Sequence, residues 1–124
     1  MTRNELIDYC RNKKGVTVEF PFDNTCMSFK LISKFFAFID IKNEKNVISL
    51  KCDPWLAAAF REQYEGVTPG YHLNKKHWNT IDADLDIPKE KVLEMIDMSY
   101  DLIYKGLKKQ EKEYFINEYE GRRK

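Results

Sequence analysis

Residues 16–52 read VTVEFPFDNTCMSFKLISKFFAFIDIKNEKNVISLKC, a stretch in which apolar and polar side chains repeatedly alternate. The alternation has a period of two in Val16–Phe20 and again in Met27–Leu31, which is the pattern of strands with one buried face. Pro21–Asn24 lies between them and contains Pro, Asp and Asn, residue types that favour a turn. We therefore expect two neighbouring, half-buried strands.

A third segment of this stretch, Phe35–Ile41, is apolar on both of the faces that a strand would present. Such a strand needs cover on each side, so it is expected in the interior of a sheet. The polar segment Lys42–Asn46 is predicted to be a hairpin loop that leads into a fourth strand, Val47–Cys52. The stretch as a whole predicts an antiparallel meander.

Helices are predicted on both sides of the meander. The first spans about Thr2–Lys14 and begins with a capping box. The second begins at Asp53-Pro54, where a carboxylate cap precedes a proline in the first turn, and it ends at Gly66. Its predicted buried stripe consists of Leu56, Ala59, Phe60 and Tyr64.

The rest of the chain adds short strands and a long helix. Val67–Asp84 is interpreted as one or two short strands around an exposed loop. A third helix is predicted to open near Asp86 and Pro88. Its apolar face consists of Val92, Ile96, Ser99, Tyr100, Ile103 and Leu107. The predicted fold class is therefore α+β, an antiparallel sheet with helices packed on it, in the order helix, three or four strands, helix, one or two strands, helix.

Composition limits the classes to which the chain can belong. The 124 residues suit one domain, and the longest apolar runs fall far short of the ~18 residues of a membrane span. The N-terminus lacks the pattern of a secretory signal, and three widely spaced cysteines do not suggest a disulfide framework. We expect a cytoplasmic protein. Because the formal net charge is only +1, any nucleic-acid binding must depend on a local basic patch.

The densest group of polar and aromatic residues lies in Pro69–Thr80, which contains both histidines and two adjacent lysines. Lysines could neutralise phosphates, the amide side chains could bond base edges or sugars, and the aromatic rings could stack on an unpaired base. The alternative is structural: aromatic core anchors, asparagines that bond the backbone of turns, and lysines that solubilise a hairpin tip. The candidate nucleic-acid- or ligand-binding residues are Tyr71, His72, Asn74, Lys75, Lys76, His77, Trp78 and Asn79.

Metal binding and catalysis have weaker support. His72 and His77 are five residues apart, which is not a standard ligand pair on a helix, and no cysteine lies nearby to complete a closed site. As an acid or base, either histidine would need a carboxylate, and Asp82 or Asp84 can be suggested only by their proximity in the sequence. A glycine-rich phosphate loop, a GxSxG elbow and an HExxH motif are all absent from the sequence. We expect neither catalysis nor a cofactor or metal.

Four segments resemble the signature of the MmcQ/YjbR family: Lys51–Pro54, Arg61–Tyr64, Pro69–Thr80 and Ser99–Ile103. The resemblance covers about residues 2–109. It implies a compact α+β fold similar to the frataxin-like or secretion-chaperone-like arrangement, and the family is commonly labelled DNA-binding. Residues 1–109 are accordingly assigned to this domain.

Residues 110–124 form a charged extension beyond the family core. It is expected to continue the third helix or to form a loosely held tail, with Gly121–Lys124 frayed.

The resulting hypothesis is weak, phosphate-dominated DNA binding through the Asn74–Trp78 loop. The alternative is a protein- or small-ligand-binding module with no nucleic-acid role. In neither case is a membrane expected to be the partner.

Overall fold

A computed structural model describes residues 1–120 and places six strands and four helices in them. No helix in this part of the chain has the length and apolar character needed to cross a membrane. The elements are α1 (Arg3–Arg11), β1 (Val16–Glu19), β2 (Cys26–Leu31), β3 (Lys34–Asp40), β4 (Val47–Lys51), α2 (Pro54–Gln63), β5 (Val67–Pro69), β6 (Trp78–Asp82), α3 (Lys89–Lys105) and α4 (Lys109–Tyr119).

The strands form one antiparallel sheet in the order β1-β2-β3-β4-β6-β5. The predicted α+β class is confirmed, and β3 lies in the interior between β2 and β4 as its apolar sequence predicts. Across the centre of the sheet, Ala37 faces Phe29 on one side and Leu50 on the other, and Leu50 faces Asn79.

One face of the sheet packs against the helices and forms the core. Phe29, Ala37, Ile39 and Ile48 on this face are fully buried. A bulge opposite Phe29 and Lys30 places an extra residue, Phe36, on the same side, where its ring meets Tyr100 of α3 edge to face.

The opposite face carries Phe35, Phe38 and Trp78, and all three are only half-buried. We call this surface the helix-free face, because no helix within residues 1–120 covers it. The expectation that β3 is covered on both sides by packed elements is therefore wrong for this face. Neighbouring aromatic rings shield its apolar side chains in part, and half-buried aromatic side chains are common in folded proteins.

The buried face of α3 follows the prediction from Val92 to Ile103, and Leu107 is buried just beyond the end of the helix. The buried stripe of α2 differs from the predicted one. Ser99 of α3 is fully buried, donates its hydroxyl to the carbonyl oxygen of Phe36 (2.6 Å) and accepts from the amide of Lys51 (2.9 Å). In α2, Ala57 and Phe60 are buried, but Leu56 and Ala59 are exposed. The sequence did not define the phase of α2, because three consecutive alanines present apolar side chains all round the helix.

Asp86 has a different role from the predicted one. It does not open α3, because its carboxylate accepts from the backbone amides of Glu65 (2.8 Å) and Gly66 (2.9 Å). These bonds hold the turn before β5, and they lower the pKa of the Asp86 carboxyl.

Both expectations for the C-terminal segment are wrong, because α4 is a separate, packed helix. Gly106 ends α3, and α4 then places Phe115 in the core, 5.2 Å from the ring of Tyr104. Gly15 makes room for it: its φ is +76°, and a Cβ there would lie 2.9 Å from the Phe115 ring. The expected fraying of Gly121–Lys124 lies outside the described residues.

Candidate functional site

The loop from Gly70 to His77 folds back onto the start of β6. The Gly70 amide donates to the carbonyl oxygen of Trp78 (2.9 Å), and the Tyr71 amide donates to the hydroxyl of Thr80 (3.0 Å). Gly70 is required by this close approach, because a Cβ there would lie 2.7 Å from the Cβ of Trp78. The loop is therefore fixed against the strand that carries Trp78.

The polar side chains at the loop tip are partly used inside the loop. Lys75 Nζ donates to the carbonyl oxygen of Gly70 (2.8 Å), and Asn74 Oδ1 accepts from the amide of Lys76 (2.9 Å). Asn74 thus stabilises a turn, as its structural interpretation predicts. The Lys76 side chain is exposed, and within residues 1–120 neither lysine has an acidic partner within 4 Å.

The two histidines of the loop make different contacts. His72 has a φ of +60°, an uncommon conformation for a residue other than glycine, and its ring lies 3.9 Å from that of Tyr71. Tyr71 is 71% exposed. The backbone of His77 instead accepts from the Cys52 amide (2.8 Å), at the end of β4. Within the described residues, no group of three or more His, Cys, Asp or Glu side chains could hold a metal ion.

Asn79 belongs to the core and not to the surface formed by the other candidates. It is only 2% exposed and faces the helices. Its Oδ1 accepts from Arg61 Nε (2.7 Å), and its Nδ2 donates to the carbonyl oxygen of Ala57 (3.2 Å). The role suggested for Asn79 in bonding a nucleic acid is therefore corrected: it fastens α2 to β6.

Arg61 bonds to both the loop and β6, a role that was not predicted from the sequence. Besides Asn79, its guanidinium contacts the carbonyl oxygens of Lys75 and of Trp78, the latter at 3.3 Å. One side chain thus connects α2, the loop and β6. The sequence signals were its place in the Arg61–Tyr64 segment that resembles the family signature and its position beside Phe60 in a helix with an apolar face.

Four aromatic rings cross the helix-free face from one segment to the next. Phe22 lies 6.0 Å from Phe38, Phe35 lies 5.5 Å from Phe38, and Phe38 lies 5.4 Å from Trp78, between ring centroids. Phe22 comes from the turn between β1 and β2 and is 68% exposed. We call Phe22, Phe35, Phe38 and Trp78 the aromatic row.

Three separate segments place lysines at one end of the sheet. Because neighbouring strands are antiparallel, β3 begins, β4 ends and β6 begins at the same end. This end carries Lys34, Lys51, Lys75 and Lys76, which we call the lysine end. Within residues 1–120, none of the four has an acidic side chain within 4 Å.

The start of α4 lies beside the same end. A hydrogen bond from Ser33, in the turn between β2 and β3, lowers the pKa of the Glu111 carboxyl, as do a bond from the Lys108 backbone and the positive charges of Lys108 and Lys34. One carboxylate therefore lies beside the lysine end. The opposite end of the sheet carries Asp40, Asp82 and Asp84 together with Lys42 and Lys45. The formal net charge of +1 therefore conceals a partial separation of charge along the strands.

Two of the three cysteines, Cys10 and Cys52, are buried structural residues. Burial raises the pKa of the Cys10 thiol to about 12 and that of the Cys52 thiol to about 11, which makes both weak nucleophiles. Cys26 is half-buried, and its Sγ lies 3.6 Å from the Ser28 hydroxyl. All three thiols are free.

The amino-acid sequence of this chain is similar to those of several known proteins. The YjbR family model matches residues 11–102. The Escherichia coli K12 protein named "Uncharacterized protein YjbR" is 34% identical over 100 residues, which cover 81% of this chain and 85% of that protein. "Uncharacterized protein YyaQ" of Bacillus subtilis is 23% identical, over 82% of this chain and 98% of that protein.

Two solved structures have a similar fold. A crystal structure of a Deinococcus radiodurans protein superposes with a TM-score of 0.85 at 34% identity, over 92% of this chain and 87% of that one. A crystal structure of a Pseudomonas syringae protein superposes with a TM-score of 0.70 at 27% identity, over 82% of this chain and 98% of that one.

Proposed function

The chain belongs to the YjbR family, and we propose that it binds DNA weakly, by binding alone and without a catalytic step. Contacts to phosphates would be made by the Asn74–Trp78 loop together with the rest of the lysine end. The observation that supports this proposal most strongly is the placement of Lys34, Lys51, Lys75 and Lys76 at one end of the sheet. Within residues 1–120 none of the four has an acidic side chain within 4 Å, and the carboxylate of Glu111 lies farther from Lys34.

A local excess of lysines answers the objection that the net charge is almost neutral. A phosphate backbone responds to the local field, so the lysine end can attract it although the whole chain is nearly neutral. Since few phosphates would be contacted, we expect an affinity for random duplex on the order of 10⁻⁴ to 10⁻⁶ M near physiological salt. The affinity should fall as salt is raised, with a slope of log affinity against log salt of about −3.6 at most if each of the four lysines contacts one phosphate.

A protein-binding role is the second candidate, and exposed apolar groups on α2 favour it. Trp55 is 87% exposed and lies next to Leu56, which is 39% exposed. A small-ligand role has less support. The cavity between the sheet, α2 and α3, lined by Leu50, Phe60 and Met95 among others, holds only about 10 Å³, whereas ligand pockets usually measure about 300–1,000 Å³. The groove between α1 and α3 is larger, about 650 Å³, but it is open to solvent and does not enclose a ligand.

Exchanging charge at the loop tip tests the proposal. The double variant Lys75→Glu/Lys76→Glu should weaken duplex binding and flatten the slope of log affinity against log salt by about 1.8, because two phosphate contacts are lost. Fluorescence anisotropy of a labelled duplex, over a series of salt concentrations, measures both quantities.

The matched control is Lys42→Glu/Lys45→Glu. It makes the same change in net charge at two exposed lysines in the loop at the opposite end of the sheet. A second variant, Lys34→Glu/Lys76→Glu, leaves the Lys75 bond to Gly70 intact. It shows whether weaker binding comes from the lost positive charge or from a distorted loop. An unchanged slope in both lysine-end variants would place the site elsewhere, and an absence of salt-dependent binding to any DNA at low ionic strength would refute the proposal.

A further inference from the structure

The helix-free face has a chemistry that DNA binding at the lysine end alone does not explain. The aromatic row lies on it, and the strand register adds Lys51 beside Trp78 and Lys30 beside Phe35. Lys30 is held by Glu19 (2.6 Å), with its Nζ 5.8 Å from the centroid of the Phe35 ring. Among the described residues, the lysine on this face without an acidic side chain within 4 Å is therefore Lys51, at the Trp78 side of the aromatic row.

Hydroxyl groups accompany the rings on this face. Ser49 lies opposite both Phe38 and Thr80 in the strand register, and the Ser49 and Thr80 hydroxyls are 2.8 Å apart. These hydroxyls bond to each other, and that of Thr80 also accepts from the Tyr71 amide, so they form a polar strip beside the rings. The combination of ring faces, hydroxyls and a flanking cation suits a ligand with flat apolar faces, polar edges and negative charge.

Unpaired nucleotides have that combination. Their bases stack on aromatic side chains, their edges form hydrogen bonds, and their phosphates pair with lysine, whereas the bases of a duplex are already stacked and out of reach. Aromatic residues on the open face of a sheet are an established platform for stacking two or three bases.

Resting on the function proposed above, we propose that the helix-free face binds single-stranded nucleic acid. Unpaired bases would stack on Phe22, Phe38 and Trp78, and the backbone would leave the face over Lys51 and the Lys75-Lys76 loop tip. The lysine end then holds phosphates and the aromatic row holds bases. The proposed ligand is therefore single-stranded nucleic acid and not DNA in general.

A second copy of the chain is the other occupant to consider. In a two-fold symmetric contact between two helix-free faces, each surface meets the same surface of its partner. If the axis runs along the strands, the two lysine ends come together and repel each other. If the axis runs across the strands, each lysine end meets the aspartate-carrying end of its partner, so self-association is kept as an outcome of the test below.

Two measurements test the inference together: the preference for a single strand over a duplex, and the effect of removing the Phe22 ring on each. Anisotropy of a labelled single-stranded oligothymidylate of about fifteen nucleotides should indicate at least about tenfold tighter binding than that of a duplex of equal length. Phe22→Ala should weaken binding to the single strand about fivefold or more, because an exposed stacking ring is lost, and leave duplex binding unchanged. Phe22 is 68% exposed, so this variant should still fold. Trp55→Ala removes another exposed aromatic ring and should change neither affinity.

A second readout follows Trp78 directly. The chain contains two tryptophans, so Trp55→Phe leaves Trp78 as the only one, and its fluorescence should be quenched when the single strand is added. Equal or tighter duplex binding, insensitive to Phe22→Ala, would overturn the single-strand inference while the proposed function stands. Failure of both oligonucleotides to bind would refute both proposals. A dimer that Phe22→Ala dissociates would overturn the inference in favour of self-association.

Discussion

Replacing Phe36 with alanine is expected to lower the free energy of unfolding by about 3–5 kcal/mol, the usual cost of deleting a buried aromatic ring. Phe36 is fully buried beneath α3, against Phe29 and Tyr100. Phe38→Ala, two residues along the same strand, should cost about 1–2 kcal/mol, because its ring is half-exposed on the helix-free face. The two positions thus differ in the face of β3 that they occupy.

Urea denaturation followed by circular dichroism measures both losses. The slope of the unfolding free energy against urea should be the same in both variants, since the amount of surface exposed on unfolding hardly changes. Equal losses in the two variants would contradict the assignment of one covered and one open face.

Replacing Arg61 with methionine is expected to cost about 2–3 kcal/mol, because the buried Asn79 Oδ1 loses its donor. The carbonyl oxygens of Lys75 and Trp78 lose the same partner, so the loop should loosen as well. Amide hydrogen exchange over residues 70–78 should accelerate more than it does in the core strands.

Two comparisons separate the Arg61 network from general effects on α2. Arg61→Lys should recover little of the loss, since an ammonium group cannot reproduce the forked geometry of guanidinium donors. Glu62→Met, at the exposed neighbouring position, should stay within about 0.5 kcal/mol of the parent. An Arg61→Met loss as small as that of Glu62→Met would show that the network contributes nothing measurable.

The strands and α3 could be predicted because their patterns are long and regular. The two-residue alternation of Met27–Leu31 and the apolar stripe of α3 each give one consistent solution. Strand alternation also places Trp78 and Asn79 on opposite faces, so the core position of Asn79 was available from the sequence once β6 was assigned. Assigning both Trp78 and Asn79 to one candidate binding surface overlooked that alternation.

Other features depend on tertiary contacts that no local pattern specifies. The helical state of α4 depends on Phe115 finding a place beside Gly15, about a hundred positions earlier in the chain. The lysine end depends on β6 pairing with β4, which brings Lys75 and Lys76 near Lys51. The aromatic row depends on the turn that folds Phe22 over β3.

The position of the site is the central claim, and a nuclear magnetic resonance titration tests it most directly. Adding the single-stranded oligothymidylate to the ¹⁵N-labelled protein should shift the backbone amides of residues 34–38, 49–51 and 70–78, which meet at the lysine end and along the aromatic row. The amides around Tyr9, Lys13 and Lys89, in the open groove between α1 and α3, should stay in place. Shifts centred on that groove, or no shifts at low ionic strength, would contradict the account.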